Sequence, residues 1–320
     1  ETASNSFPKR GVAMISSFRQ LFTSVTILAN AIVVAAAFNP SAPRHSEIHH
    51  KLHTQTQRRP LLQPSNHANT YPLSSTSTDS DVSSSKQNPC IIFPGGGLFF
   101  YWQAGVIAHL QEEGYNLSSN ILLSGASAGA LSATLAKTEV SPYDATELAL
   151  SMSDEAGIWD RPLGLQGVWG SIIYEWLDRL LPLDAEERVK EEELHILLTP
   201  VPSFGTSRIS QFENRQDLIN ANMASVHLPW FLDGNLTSNF RGKPHIDGSF
   251  LSQPSDYFAD KYSEQPKLIL DYQRDPVMKD RASEFIKLVS KQTIWDILEQ
   301  GKKHAKVMEQ KGEFDILTKR

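Results

Sequence analysis

Ser127 stands between two glycines in the run Gly125-Ala126-Ser127-Ala128-Gly129. A serine hydroxyl is a weak nucleophile until a base takes its proton and donors await the oxyanion it creates. Gly-x-Ser-x-Gly offers that setting when a strand enters the turn and a helix leaves it. Three other groups of residues could complete the chemistry. Gly95, Gly96 and Gly97 form a run whose backbone N–H groups can converge on one point. Asp247, ahead of Gly248, is a candidate base, although Asp-Gly is also a common turn dipeptide. His304, in "GKKHAKV", is the one histidine that follows Asp247 in the Ser-Asp-His order of an α/β-hydrolase, and its charged surroundings suit a surface helix better.

The elements around these residues can be read from pattern. Ile121 to Ser124 is a short, mostly apolar run that predicts a buried strand, and Ala128 to Lys137 are helix formers with Leu131 and Leu135 four apart. Gly125 and Gly129 suit a turn too sharp for a Cβ, and Ser127 then falls at a helix start, where free N–H groups favour negative charge. Ile91 to Phe93 predicts a strand running into the glycine loop, with a helix from Trp102 to Glu113 after it. The loop precedes Ser127 by about one strand–helix unit, so a parallel sheet would set the two loops side by side. Ser141-Pro142 predicts a helix start, as does Asn214, and Ile172 to Leu181 is amphipathic. Leu194 to Thr199 and His245-Ile246 predict strands, and the chain from Asp280 onward predicts helix, with Ile286, Val289, Ile294 and Leu298 as packing positions. Alternating strands and helices predict an α/β fold with a mainly parallel sheet.

Composition narrows the chemistry. Residues 1–88 hold eight Lys/Arg against four Asp/Glu and five of the ten histidines, so the remainder is strongly acidic within a net charge of −6. An acidic body argues against nucleic acid as partner. A single cysteine, Cys90, excludes an internal disulfide framework and cysteine metal clusters, and no paired-histidine motif follows it. No Gly-Lys-Ser/Thr follows the glycine run, which excludes a nucleotide phosphate loop. Leu21 to Phe38 is an uncharged run of 18 residues at the border between a signal-peptide core and a membrane span. The Ser/Thr-rich stretch 41–88 lacks a usable apolar period and predicts a disordered or transit segment. "AAAFNP", Ala35 to Pro40, resembles the Ala-Phe-Pro junction of plastid proteins in algae with secondary plastids, which implies delivery to a plastid. A plain secretory signal or an uncleaved anchor, at the endoplasmic reticulum or a lipid droplet, is the alternative.

"GGGLFFYWQAGV", "GASAG" and "DGS", in that order and spacing, resemble the patatin-like phospholipases, and most of all their adiponutrin-like lipase branch. The likeness extends through "NRQDLINANMASVHLPWF" and "FRGKPHIDGSF", over residues 90 to 255. It implies a three-layer α/β/α fold and a Ser–Asp dyad without histidine. Ser127 is then the nucleophile, Asp247 the base, and Gly95, Gly96 and Gly97 the oxyanion loop, with Gly125, Gly129 and Gly248 shaping the turns. It implies no cofactor, no metal, a glycerolipid substrate and a peripheral membrane or lipid-droplet surface. The domains follow as a targeting segment 1–88, a catalytic domain 89–258 and a C-terminal helical extension 259–320. Two departures stand out. Leu98-Phe99-Phe100 replaces the cation common late in the glycine loop, and Asp247-Gly248-Ser249 replaces Asp-Gly-Gly. The aromatic run Phe99 to Trp102 suits an acyl pocket, a lipid surface or plain core. A lipid acyl hydrolase is the leading expectation, a catalytically weak or inactive lipid-binding protein the alternative, and a histidine-dependent esterase the third.

Overall fold

The structure is a computed structural model that describes residues 88–189 and 192–320. The expectations for the apolar run 21–38 and the Ser/Thr-rich stretch after it lie outside the described residues, apart from Asn88. Among the described residues no helix is long and apolar enough to cross a membrane.

Four parallel strands form the centre of the sheet. β1 (Cys90–Phe93) lies between β2 (Leu122–Ala126) and β7 (Lys267–Ile269), and β2 pairs on its other side with β3 (Leu194–Pro200). The free edge of β3 is shared by two antiparallel strands. β4 (Ser207–Ile209) takes its middle, Ile196 to Leu198, and β6 (Lys243–Ile246) takes its end, through Thr199 opposite Ile246. β5 (Ser238–Phe240) pairs with β6 and finishes the sheet. β1, β2 and β3 are buried on both faces and so are rich in apolar residues, whereas edge strand β7 exposes Lys267.

Alternation along these strands divides the core. Ile91, Phe93, Leu123, Ile196 and Leu198 face the main helical layer, whereas Cys90, Ile92, Leu122 and Leu197 face a smaller cluster with Tyr257 and Phe258. The main layer contains α1 (Phe100–Glu112), α2 (Ala128–Lys137), α3 (Pro142–Glu155), α4 (Trp169–Leu180), the short α5 (Ala185–Arg188), α6 (Arg215–Ser225) and α7 (Lys291–Gln310). Short 3-10 turns at Pro254–Tyr257 and Asp260–Tyr262 supply the thinner opposite layer. The fold is α/β with helices on both sides of a mostly parallel sheet, in unequal layers.

Local chemistry explains the helix starts. Ser141 accepts the N–H of Asp144 with Pro142 at the first position, and Asn214 accepts the N–H of Asp217. The expected helix from Asp280 begins only at Lys291, where Ser290 accepts the N–H of Thr293. Residues 285–289 are irregular instead, because the Phe285 carbonyl bonds the Leu98 N–H across the fold rather than a residue one turn on. Residues 259–320 also supply a strand, β7, beside the expected helix. That helix crosses α1 at backbone contact: a Cβ on Gly105 would lie 1.9 Å from the Leu298 carbonyl, and one on Gly301 2.0 Å from that of Trp102.

His195 on β3 is buried between the Phe258 and Tyr262 rings, and burial lowers its pKa to about 4 from an ordinary 6.5. Glu192 raises it and Arg208 and Lys261 lower it by smaller amounts. The unfolded imidazole therefore takes up a proton that the folded one refuses as pH falls from 6.5 towards 4. Stability is expected to drop across that window by up to about 3 kcal/mol more in the wild type than in His195→Phe. Urea unfolding of both at several pH values measures it, and parallel pH dependence would contradict it.

Candidate active site

The register of the sheet brings the candidate residues together. Phe93 pairs with Gly125, so the loop after β1 and the turn after β2 leave the same edge side by side. The turn is possible only with glycine at its flanks. A Cβ on Gly125 would lie 2.1 Å from the Gly129 carbonyl oxygen, and one on Gly129 would lie 1.9 Å from that of Phe93. Ser127 itself adopts φ 54° and ψ −130°, a conformation that L-residues avoid and that marks stored strain. It is the residue preceding α2 and so sits at the positive end of that helix.

Two interactions hold this backbone. The Ser127 N–H donates to Ser225 Oγ at 2.9 Å, and Ser225 Oγ donates in turn to the Leu197 carbonyl at 2.7 Å. The Ser225 carbonyl also accepts the Gly248 N–H at 2.9 Å. One residue at the end of α6 thus grips the serine turn, β3 and the Asp-Gly turn together. Gly248 is required there, since a Cβ would lie 1.8 Å from the Leu197 carbonyl oxygen.

Asp247 is fully buried at the end of β6. Its N–H donates to the His227 carbonyl and its own carbonyl accepts from Thr199 Oγ1, both at 2.9 Å. Of its carboxylate oxygens, Oδ1 accepts the Ser249 N–H at 2.8 Å and the Ser249 hydroxyl at 2.6 Å. Oδ2 is buried without a closed hydrogen bond, while the Ser127 side chain lies near enough to favour the charged form. Burial outweighs Ser127 and Ser249 and pushes the Asp247 pKa above its ordinary value.

The glycine loop meets both. A Cβ on Gly95 would lie 2.6 Å from Ser249 Cβ and 3.2 Å from Ser127 Cβ. Gly95 therefore permits close approach, and its backbone faces the Tyr257 hydroxyl. Among the described residues no acceptor takes the N–H of Gly96 or Gly97, and Gly97 has φ 53°. Those two N–H groups are the loop's free donors.

Ser127 opens onto a cavity of about 1020 Å³, counting its open mouth, walled almost wholly by apolar side chains. The aromatic run divides between two tasks. Phe100 and Tyr101 line the cavity, whereas Phe99 stacks on Tyr272 at 3.9 Å and Trp102 donates to Asp275 Oδ2 at 2.9 Å in the core. His304 packs on Trp102 and lies 3.8 Å from Asp275, and it is not among the cavity-lining residues. His109, Glu113 and Glu309 lie close enough to share an ion, but Tyr115 and Lys319 already bond Glu309, and none of the three lines the cavity. Sequence reasoning missed Ser225, Tyr257 and the cavity wall at 285–289. The one available signal for Ser225 was its place inside "NRQDLINANMASVHLPWF".

A family model described as Patatin-like phospholipase matches residues 91–255, just over half of the chain. Human Patatin-like phospholipase domain-containing protein 2 is 32% identical over 160 residues, covering 49% of this chain and 31% of that protein. Mouse Omega-hydroxyceramide transacylase is 28% identical over 174 residues, covering 53% of this chain and 28% of that protein. The chain spans about three-tenths of the length of these relatives. Among solved structures, VipD from Legionella pneumophila aligns with a TM-score of 0.32 at 15% identity over 57% of this chain and 49% of that one, a likeness too distant to bear on the site.

Ser225→Ala leaves the buried Ser127 N–H and the Leu197 carbonyl without their partner. A loss of about 2 kcal/mol of unfolding free energy is expected, by chemical denaturation. A variant as stable as the wild type would show that the serine turn does not need this support.

Proposed function

The chain belongs to the patatin-like phospholipase family, and we propose that it is a lipid acyl hydrolase cleaving fatty-acyl esters through a Ser127–Asp247 dyad. The observation that carries this reading is the meeting of three separate motifs. Gly95 packs against both Ser127 and Ser249, and Ser249 bonds the Asp247 carboxylate. Three turns brought within contact at one sheet edge, beside an apolar cavity, suit an insoluble acyl ester.

The steps follow from the roles. Asp247 Oδ2 takes the Ser127 hydroxyl proton as Oγ bonds the acyl carbon, and the negative charge moves to the carbonyl oxygen. The free N–H groups of Gly96 and Gly97 receive that oxyanion, each such donor contributing about 3 kcal/mol to the transition state. The C–O bond to the alcohol then breaks, and the leaving oxygen takes the proton from Asp247. In the second half Asp247 takes a proton from water, whose oxygen bonds the acyl carbon. Ser127 leaves with that proton, and a fatty acid is released. Burial helps, because a carboxylate with raised proton affinity is a better base at neutral pH.

An alcohol in place of that water would make the same acyl-enzyme a transacylase intermediate, the activity named for the mouse relative. The cavity lining is mostly apolar, with Tyr101, Ser153 and Lys287 as its polar side chains besides Ser127, and we take water from the mouth as the acceptor. The substrate class in this proposal is glycerolipid, met at a membrane or droplet surface. Exposed Leu163 and Trp230, next but one and next to the cavity-lining Leu165 and Phe231, suit that contact.

The test is fatty-acid release from triacylglycerol, phospholipid and galactolipid emulsions by the wild type, Ser127→Ala and Asp247→Asn. Release is expected from the wild type, with both variants slower by about a thousandfold or more. A folded wild type no faster than its variants would leave a lipid-binding protein without catalysis. The pH profile adds a signed expectation. The Ser249 hydroxyl stabilises the charged Asp247, so Ser249→Ala raises that pKa further, and the acid limb of kcat/KM moves to higher pH. A limb that stays in place or moves down would contradict Asp247 as the base.

A further inference from the structure

The far wall of the cavity comes from outside the family-matched segment. Residues 285–289 run as irregular chain between a 3-10 turn, Ala282–Glu284, and the Ser290 cap of α7, and every one of them lines the cavity. The segment is fixed at both ends. Behind it, Arg281 pairs with Glu284 at 3.0 Å and the Lys287 N–H bonds the Glu284 carbonyl at 2.8 Å. Ahead of it, Lys291 pairs with Asp154 on α3.

Between those anchors the segment touches the glycine loop on one side and another wall of the cavity on the other. The Phe285 carbonyl accepts the Leu98 N–H at 2.6 Å and sits 2.0 Å from where a Cβ of Gly97 would lie. Leu288 packs on Gly164, whose Cβ position is 3.3 Å from Leu288 Cδ2. The chain after Gly164 contributes Leu165 and Trp169 to the cavity, and Gly167 bonds the Phe231 carbonyl at 2.8 Å. Residues 285–289 are therefore a strap laid over the cavity from the glycine loop to the loop at 164. Ile286 and Leu288 are half-buried along it, while Lys287 between them is exposed.

We propose that this strap selects the acyl chain, with Leu288 setting how long a chain the cavity accepts. The inference rests on the acyl-ester reading of the cavity. An acyl chain on Ser127 that fills the cavity meets the strap, and Leu288, packed on Gly164, bounds the cavity on that side. The same strap holds Leu98 and abuts Gly97, so a chain that displaces it also moves the free N–H of Gly97. Chain length then acts on kcat as well as KM, which simple crowding of a remote pocket would not do.

The experiment uses the full chain and soluble p-nitrophenyl esters from butanoate to hexadecanoate. Leu288→Trp is expected to lower kcat/KM on hexadecanoate about tenfold relative to butanoate, and Leu288→Ala to shift preference the opposite way. Chain-length profiles parallel to the wild type in both variants would overturn the proposal. A wild type inactive on every ester would instead overturn the catalytic reading. In that case calorimetric titration with hexadecanoate still decides the strap: weaker binding by Leu288→Trp, or tighter by Leu288→Ala, supports it, and unchanged affinity in both overturns it.

Discussion

The serine turn can exist only while Ser127 is kept at φ 54° and ψ −130°, and the surrounding structure is arranged around keeping it there. Gly125 and Gly129 meet at backbone distance beneath it, and Gly129 rests on the Phe93 carbonyl. Above it the Ser127 N–H is held by Ser225 Oγ. A strained backbone persists only when its neighbours over-determine it. Here the neighbours are β1, β2, α2 and α6, and their packing is the reason the hydroxyl stands at the open end of the sheet. The same strand register that sets Phe93 opposite Gly125 delivers the glycine loop to that hydroxyl.

The second constraint is electrostatic. Asp247 is a buried carboxylate with its Oδ1 occupied by both Ser249 donors and its Oδ2 left unclosed beside Ser127. The third residue of the Asp-Gly-Ser turn therefore holds the acid by its side chain, where a glycine could offer only its N–H. A carboxylate so placed loses hydration and gains proton affinity, and the adjoining cavity is apolar. His304 stands apart from this arrangement, packed on Trp102 and 3.8 Å from Asp275.

Much of this was legible in the sequence, for a physical reason. Glycines forced by close backbone approach, at 97, 125, 129 and 248, and Gly95 pressed against the Ser249 side chain, leave fixed marks in the chain, and short apolar runs between them mark buried strands. Helix caps at Ser141 and Asn214 act within three residues and so were equally plain. Ser225 left no such mark, because its partners Ser127 and Leu197 lie 98 and 28 residues away and its chemistry is a single hydroxyl. The segment 285–289 carried apolar residues at helical spacing yet is irregular, since the Phe285 carbonyl is used across the fold on Leu98. The aromatic run 99–102 could not be divided between core and cavity from sequence, because adjacent residues of one helix start point in different directions.

In the proposed mechanism Ser127 is a nucleophile activated by Asp247. A fluorophosphonate that modifies activated serines, followed by peptide mass mapping, addresses it directly. One adduct is expected, on Ser127, formed much more slowly in folded Asp247→Asn. A folded wild type that forms no adduct, or forms it on another serine, would contradict it.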